Sequence, residues 1–290
     1  MEKAREKARV LMEALPYIKE YYGKTTVVKF SGNAMEEQEL KEKFASDIVL
    51  MRYVGMNPVI VHGGGPQVTD YMGRLSMEVR FVDGHRVTDA GAMEVVKMVL
   101  VGKVNKEIVS LINGHGNLAV GLSGEDGRLL VARKRLHKGV EGDVDLGYVG
   151  EVGKVNPEIL LNLLRDEFIP VVASVGADFS GQSYNINADL VAGALARALR
   201  ADKLVYLTNV DGIYRDIDDP SSLISVLREE EAQSLISNGD LTSGMIPKVQ
   251  SCIEAVESGV RRAHIINGTM EHALLLEIFT DAGIGTMVTV

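Results

Sequence analysis

The 290 residues carry 31 Lys and Arg against 40 Asp and Glu, a formal charge of −9 that excludes the basic face a phosphate-backbone binder needs. Aromatic residues are few and Trp is absent, while Val, Ile, Leu, Ala and Gly dominate, as in buried parallel strands flanked by helices. The one cysteine, Cys252, leaves no disulfide and no zinc spacing, the opening is too charged for a secretory signal, and no run approaches the roughly 20 apolar residues of a membrane span. A cytoplasmic protein with no membrane or nucleic-acid partner is expected, long enough for one large α/β domain or two lobes.

Residues 1–22, MEKAREKARVLMEALPYIKEYY, have helical composition, with Leu11, Leu15, Ile18 and Tyr22 at compatible spacings and Pro16 placed to kink the helix. TTVVKF (25–30) and PVIVH (58–62) predict strands, separated by a helical period over 36–53. A second helical period covers 90–112. GHGNLA (114–119) then matches G-x-G-x-x-A but leaves a helix and enters a strand, the reverse of a dinucleotide turn, so Gly114 is expected as a left-handed helix stop. NLAVGL (117–122) predicts the next strand. RLLVARKR (128–135) and DLGYVGEV (145–152) have no helix between them and predict an antiparallel hairpin added to the main sheet. Strands IPVVASV (169–175), KLVYLTN (203–209), AHIIN (263–267) and GTMVTV (285–290) follow, with helices over 189–200 and 247–258. Residues 210–245, rich in Asp, Ser, Gly and Pro, read as a mobile surface segment beside a site. Alternating strands and helices imply a mainly parallel sheet covered on both faces.

The chemistry gathers where strands open into helices. Lys29 ends the first strand, just before Ser-Gly-Asn and a helix start, whose free N–H groups and positive dipole end make a pocket for a strongly anionic group. VIVHGGGPQV (59–68) repeats the arrangement with three glycines, which let backbone N–H groups approach an oxyanion or phosphoryl oxygen; a tight turn needing positive φ is the alternative. HGGG also matches the oxyanion loop of lipase-like hydrolases, but no G-x-S-x-G accompanies it, and no G-x-x-x-x-G-K-[ST] occurs. Asn185, Asn187 and Asp189 lie two apart at a helix entry, where Asp189 either caps the helix or joins the pocket. Lys248 follows a Gly and a Pro at another helix start, so two distant lysines point to one anion gripped from two sides. LVYLTNVDGIYRD (204–216) ends a strand in an Asp-Gly turn able to hold a purine or ribose.

KFSGNAM, VIVHGGGPQV, VDGHRVTD, NINADLVAGALA, YLTNVDGI, SGMIPKV and HALLLEIFTDAGIGTMV, in this order and over nearly the whole chain, resemble the amino-acid kinase family. Within it they are most similar to the arginine-sensitive branch that phosphorylates N-acetyl-L-glutamate. The resemblance implies an open αβα sandwich around a mainly parallel sheet. Its parts would be an N-terminal helix for oligomerisation and regulation (1–22), an acyl-amino-acid lobe (23–183) and an ATP lobe (184–290). It implies transfer of the γ-phosphoryl group of ATP, carried as the Mg²⁺ complex, to a side-chain carboxylate in arginine synthesis, with no tightly bound cofactor and no metal held by the protein itself.

By the same resemblance Lys29, Lys248, Asp189, Gly32 and Gly65 are catalytic, the lysines neutralising charge, the glycine amides donating to the moving phosphoryl group and Asp189 orienting the lysines. Gly64, Gly65, Arg86 and Asn185 contact the acceptor, with Arg86 on its α-carboxylate. Thr208, Asn209, Val210, Asp211, Gly212, Ile213, Asp240, Leu241 and Thr242 contact the nucleotide. Tyr17, His264, Glu277 and Gly283 bind arginine as inhibitor, and residues 92–112 form a dimer helix in a homo-oligomer, a hexamer built as a trimer of dimers. Ser31 stands where many relatives have glycine and narrows or polarises the phosphate approach. Two other readings keep the same residues: a kinase for an N-acylated 2-aminoadipate in lysine synthesis, and a non-catalytic arginine sensor.

Overall fold

The computed structural model describes residues 1–31, 35, 37–139, 142–216, 218–241, 244–280 and 283–290. The amphipathic opening forms α1 (Glu2–Tyr21), with Pro16 inside it. There follow β1 (Thr25–Phe30), α2 (Gln38–Tyr53), β2 (Asn57–His62) and α3 (Gly65–Arg74). A short pair, β3 (Phe81–Val82) and β4 (His85–Arg86), leads to α4 (Ala90–Lys97), which runs through a π-helical segment, Met98–Val104, into α5 (Asn105–Asn113). Next come β5 (Ala119–Ser123), β6 (Leu130–Lys134), β7 (His137–Gly139), β8 (Gly142–Val144), β9 (Val149–Val155), α6 (Glu158–Arg165), β10 (Ile169–Ala173), β11 (Val175–Ala177) and β12 (Ser183–Ile186). The rest is α7 (Ala188–Ala198), β13 (Lys203–Thr208), β14 (Val226–Arg228), α8 (Glu229–Asn238), α9 (Ile246–Glu257), β15 (Arg262–Asn267), α10 (Ala273–Phe279) and β16 (Thr286–Thr289).

Eight strands form one sheet in the order β14-β16-β15-β13-β1-β2-β10-β5, parallel throughout except where β16 runs against β15. Successive residues of a strand point to opposite faces, so the continuous apolar runs feed two cores. Val28, Ile60 and Val205 pack with α2, α5 and α10 on one face; Val27, Val59 and Leu204 pack with α6, α7 and α9 on the other. Phe30 stacks on Phe44 of α2 with ring centroids 3.8 Å apart. From β1 the chain first adds β2, β10 and β5 on one side and later β13, β15, β16 and β14 on the other. Strand order therefore reverses at β1, and a crevice opens at the carboxyl ends of β1 and its neighbours.

Three expectations are corrected. β6 and β9 do pair antiparallel, but with β11 and β12 they close a separate four-stranded barrel and add nothing to the main sheet. The run 169–175 breaks at Ser174, where β10 leaves the sheet and β11 enters that barrel. Gly114 is right-handed, with φ −61; the positive φ, +144, belongs to Gly116. Residues 210–245 contain β14 and α8, and α8 ends on Gly239 in the left-handed conformation that stops a helix.

Candidate active site

Three elements distant in sequence deliver three charges to one point. Lys29 is carried by β1, in register with Val61 of β2 and Tyr206 of β13; Asp189 lies in the first turn of α7; Lys248 lies in the first turn of α9. Asp189 Oδ1 is 2.8 Å from Lys29 Nζ and Oδ2 is 3.0 Å from Lys248 Nζ, so one carboxylate bridges both lysines. Asn187 takes the capping role, its side chain accepting from the Asp189 N–H at 2.7 Å, and the Asp189 carboxylate is left for the cations. Burial alone would raise the Asp189 carboxyl; Lys29 and then Lys248 outweigh it and hold the group below the usual carboxylate range. Burial pushes the Lys29 ammonium down, Asp189 pulls it back up, and Lys248 pushes down again. Two cations on one anion leave a net positive charge at the mouth of a low-dielectric site, which favours an incoming polyanion.

Beside this triad lies a cavity of about 260 Å³, lined by Gly63, Gly64, Gly65, Arg86, Asn185 and Asp189 among others. Gly64 has φ +155, a conformation that favours glycine, and a Cβ there would come within 2.7 Å of Leu100 Cδ2, so any other residue would also have to displace the end of that side chain. Gly65 and Pro66 open α3, and both line the cavity, so the first turn of that helix borders it. Arg86 Nη2 donates to Gly65 O at 2.9 Å and to Thr69 Oγ1 at 2.7 Å, and the guanidinium lies 4.7 Å over the Phe81 ring. Asn185 Nδ2 donates to Thr88 Oγ1 at 3.4 Å. Ser31 also lines the cavity, but its hydroxyl donates to Leu207 O at 3.0 Å, tying the loop after β1 to β13. Gly32 and Thr242 lie outside the described residues.

The turn after β13 is held from within. Thr208 Oγ1 donates to Val210 O at 2.8 Å, Asp211 accepts from Asn267 at 2.8 Å and Tyr214 at 2.9 Å, and Ile213 N donates to Thr286 Oγ1 at 2.8 Å. Gly212 passes so close to Thr286 that a Cβ would meet its hydroxyl at 2.5 Å. Asp240 donates its N–H to Leu235 O at 3.1 Å, and Leu241 packs on the α7–α9 core. Farther off, His264 of β15 and Glu277 of α10 form a buried pair at 2.7 Å, and Ile284 N donates to Glu277 at 3.2 Å just after Gly283, whose φ is +48. Tyr17 lines a groove of about 620 Å³ with Glu13, Pro16, Glu20, Phe279 and Thr280, Phe279 lying two residues beyond Glu277 on α10.

The amino acid kinase family model matches residues 24–267. The chain belongs to the amino acid kinase family. It is 56% identical over 287 residues to the acetylglutamate kinase of Moorella thermoacetica, covering 98% of this chain and 97% of that one. It is 55% identical over 293 residues to that of Carboxydothermus hydrogenoformans, covering 100% of each. Among solved structures, N-acetylglutamate synthase from Neisseria gonorrhoeae, complexed with coenzyme A and N-acetyl-glutamate, superposes with a TM-score of 0.84 at 30% identity over 98% of this chain. This chain spans 63% of that longer one. Carbamate kinase from Giardia lamblia, at 18% identity, 92% of this chain, 98% of that one and a TM-score of 0.65, shares the fold.

Several residues of this amino acid kinase site escape sequence reasoning. Gln67 lines the cavity with its side-chain oxygen buried and unpartnered. Tyr206, fully buried in β13, lies with its hydroxyl 2.9 Å from Asp189 O and 2.7 Å from Ser251 Oγ, directly behind the bridging carboxylate. His62 ends β2 beside the glycine loop. Each shows its role only through a contact made across the fold; the one local signal, polar residues at the end of an apolar strand, is common to many turns.

Proposed function

We propose that this chain transfers the γ-phosphoryl group of ATP to the side-chain carboxylate of N-acetyl-L-glutamate, giving N-acetylglutamyl 5-phosphate and ADP. The observation that carries this reading is Asp189 bridging Lys29 and Lys248 at the edge of a glycine-lined cavity. It agrees with the acetylglutamate kinases that match the chain end to end. A carboxylate oxygen attacks the γ-phosphorus while the bond to the β,γ-bridging oxygen breaks; the acceptor is already ionised at neutral pH, so no general base is needed. What remains is positioning and charge stabilisation. Lys29 and Lys248 neutralise the equatorial oxygens, Asp189 sets their separation, and the Gly32 and Gly65 amides donate to the moving group. Gly64 and Asn185 hold the acceptor, and Arg86, stacked on Phe81, takes its α-carboxylate.

The nucleotide is assigned to the turn Thr208–Ile213 and to Asp240–Thr242, with Asp211 engaged internally and the turn offering mainly backbone groups. Mg²⁺ enters with ATP; among the described residues no group of three or more His, Cys, Asp or Glu could hold a metal ion. Residues 23–183 then form the acceptor lobe and 184–290 the nucleotide lobe. For arginine as inhibitor, the support is the groove beside Tyr17, lined by Glu13 and Glu20, which already pair with the guanidinium groups of Arg9 and Arg261, and the unpartnered Nε2 of His264 behind α10. Exposed Val10, Leu11 and Met12 on α1, and Met98 on the helix over 92–112, suit the contacts of a hexamer. The buried, free Cys252 suits a reducing cytoplasm.

Acyl-phosphate formation trapped as hydroxamate tests this, with N-acetylglutamate, glutamate and N-acetylaminoadipate in parallel, each with and without arginine. Preference for N-acetylglutamate and loss of arginine inhibition on deleting residues 1–22 are expected. Activity confined to aminoadipate would overturn the acceptor assignment, and full arginine sensitivity without residues 1–22 would overturn the regulatory one.

A further inference from the structure

His62 is fully buried at the end of β2, immediately before the three glycines. Its Nδ1 lies 2.8 Å from the Gly63 carbonyl oxygen and its Nε2 lies 3.1 Å from Asn105 Nδ2. These partners fix the tautomer. A carbonyl oxygen only accepts, so Nδ1 carries the proton and Nε2 accepts. The Asn105 amide is oriented by its neighbours: its oxygen accepts from Lys106 Nζ at 3.2 Å, and the two hydrogens of its nitrogen serve the two nearest acceptors, Val171 O at 2.9 Å and His62 Nε2, with Leu122 O farther off at 3.3 Å. Burial pushes the imidazole down to about 4, so it stays neutral and keeps this arrangement across the physiological range.

The geometric consequence concerns the next peptide. In a trans peptide the carbonyl and the following N–H point in opposite directions. With the Gly63 oxygen held by the imidazole, the Gly64 N–H points away from His62, and Gly63, Gly64 and Gly65 all line the cavity. The π-helical segment closes the arrangement: Leu100 and Val104 wall the space beside Gly64, and Asn105, directly after them, holds His62. π segments widen a helix locally and recur at functional sites.

We infer that His62 is a positioning residue, held by Asn105, whose Nδ1–H fixes the Gly63 carbonyl and thereby aims the Gly64 amide at the acceptor carboxylate. The inference rests on the acyl-amino-acid kinase reading. His62 touches no reacting atom and transfers no proton.

The test compares His62→Asn, which keeps an amide nitrogen where Nδ1 stands, with His62→Leu, which keeps bulk and removes the donor. Steady-state kinetics on both substrates accompany calorimetric binding of N-acetylglutamate to the full-length protein without nucleotide and a thermal melt. His62→Leu is expected to raise the KM and dissociation constant for N-acetylglutamate about tenfold, the worth of one hydrogen bond, leaving the KM for ATP within about twofold. His62→Asn should recover most of the loss. In the wild-type protein, ¹⁵N NMR of the imidazole should show a neutral ring protonated at Nδ1. A ring protonated at Nε2 would overturn the inference, as would equal changes in both KM values or equal defects in the two variants. Failure of the wild-type protein itself to bind or phosphorylate N-acetylglutamate would instead overturn the kinase reading, while the tautomer still reports on the His62 geometry.

Discussion

Two buried aspartates on opposite faces of the central sheet meet different fates. Asp189, in α7, faces two lysines and is held below the ordinary carboxylate range. Asp47, in α2, faces the opposite core and has one close partner, His272 Nδ1 at 2.5 Å, with Lys43 farther off; burial wins and pushes its carboxyl up to about 6. Desolvation acts on both, so the number of fixed cations decides the outcome. The Asp189 cluster keeps a net positive charge ready for an anion, whereas Asp47 joins α2 to the start of α10 and carries no surplus. A buried charge becomes a binding device when its partners overcompensate it, and a structural link when they fall short.

The largest effect should come from unbalancing the first cluster. Asp189→Asn leaves Lys29 and Lys248 facing each other without a counter-charge, and Lys29→Met removes one of the two cations. Either should lower kcat for acyl-phosphate formation about 10²–10³-fold, the range for losing one preorganised electrostatic group. Stability should separate them. Asp189→Asn strands a buried ammonium and should cost about 3–5 kcal/mol in urea unfolding, while Lys29→Met keeps the Asp189–Lys248 pair and should cost less. Wild-type turnover in Asp189→Asn would remove the cluster from the mechanism.

Asp47 gives the next effect, and its sign is set by proton uptake. Its carboxyl rises from 3.8 unfolded to about 6 folded, so between those values the folded protein binds more protons and loses stability as pH rises. The His62 imidazole falls from 6.5 to about 4, so over nearly the same window the unfolded chain binds more protons and stability is gained as pH rises. Each contribution is on the order of 3 kcal/mol, and in the wild-type protein they oppose each other. In Asp47→Asn the His62 contribution stands alone. The stability of Asp47→Asn relative to wild type should therefore climb by about that amount from pH 4 to pH 6 in denaturant titrations. A constant difference across that range would place Asp47 in a wetter setting than its burial implies.

The two aspartates also mark what a sequence discloses. Lys29 is legible because it ends an apolar run before a helix start, Asp189 and Lys248 because each stands at a helix start, and the central strands because β-branched residues follow one another without polar interruption. That Asp189 serves two lysines while Asn187 caps the helix is decided by tertiary proximity, since either side chain has the chemistry of a cap. Asp47 gives no warning: it sits in an amphipathic helix where a solvated carboxylate would look the same. The hairpin over 128–155 is recognisable as antiparallel, but the partners that close it into a barrel, β11 and β12, begin at Val175 and Ser183, beyond an intervening helix and strand, and choosing them over the main sheet is a non-local decision. The π segment and the His62–Asn105 contact have no local signature for the same reason.

The smallest effect probes what stands behind Asp189. The hydroxyls of Tyr206 and Ser251 and the backbone oxygen of Asp189 form a closed triangle of 2.7, 2.9 and 3.2 Å. One hydroxyl donates to the carbonyl and the other donates to the first, so either alone can still satisfy Asp189 O. Tyr206→Phe and Ser251→Ala should each cost about 1 kcal/mol, with kcat little changed. The double variant should cost more than the sum of the singles, because only then does the buried carbonyl lose both hydroxyl donors. Simple additivity in urea unfolding would mean the two hydroxyls act independently. In that case the position of α7, and with it the bridging carboxylate, would depend on close packing alone, such as that of Gly193 against Ser251, where a Cβ would meet the hydroxyl at 2.0 Å.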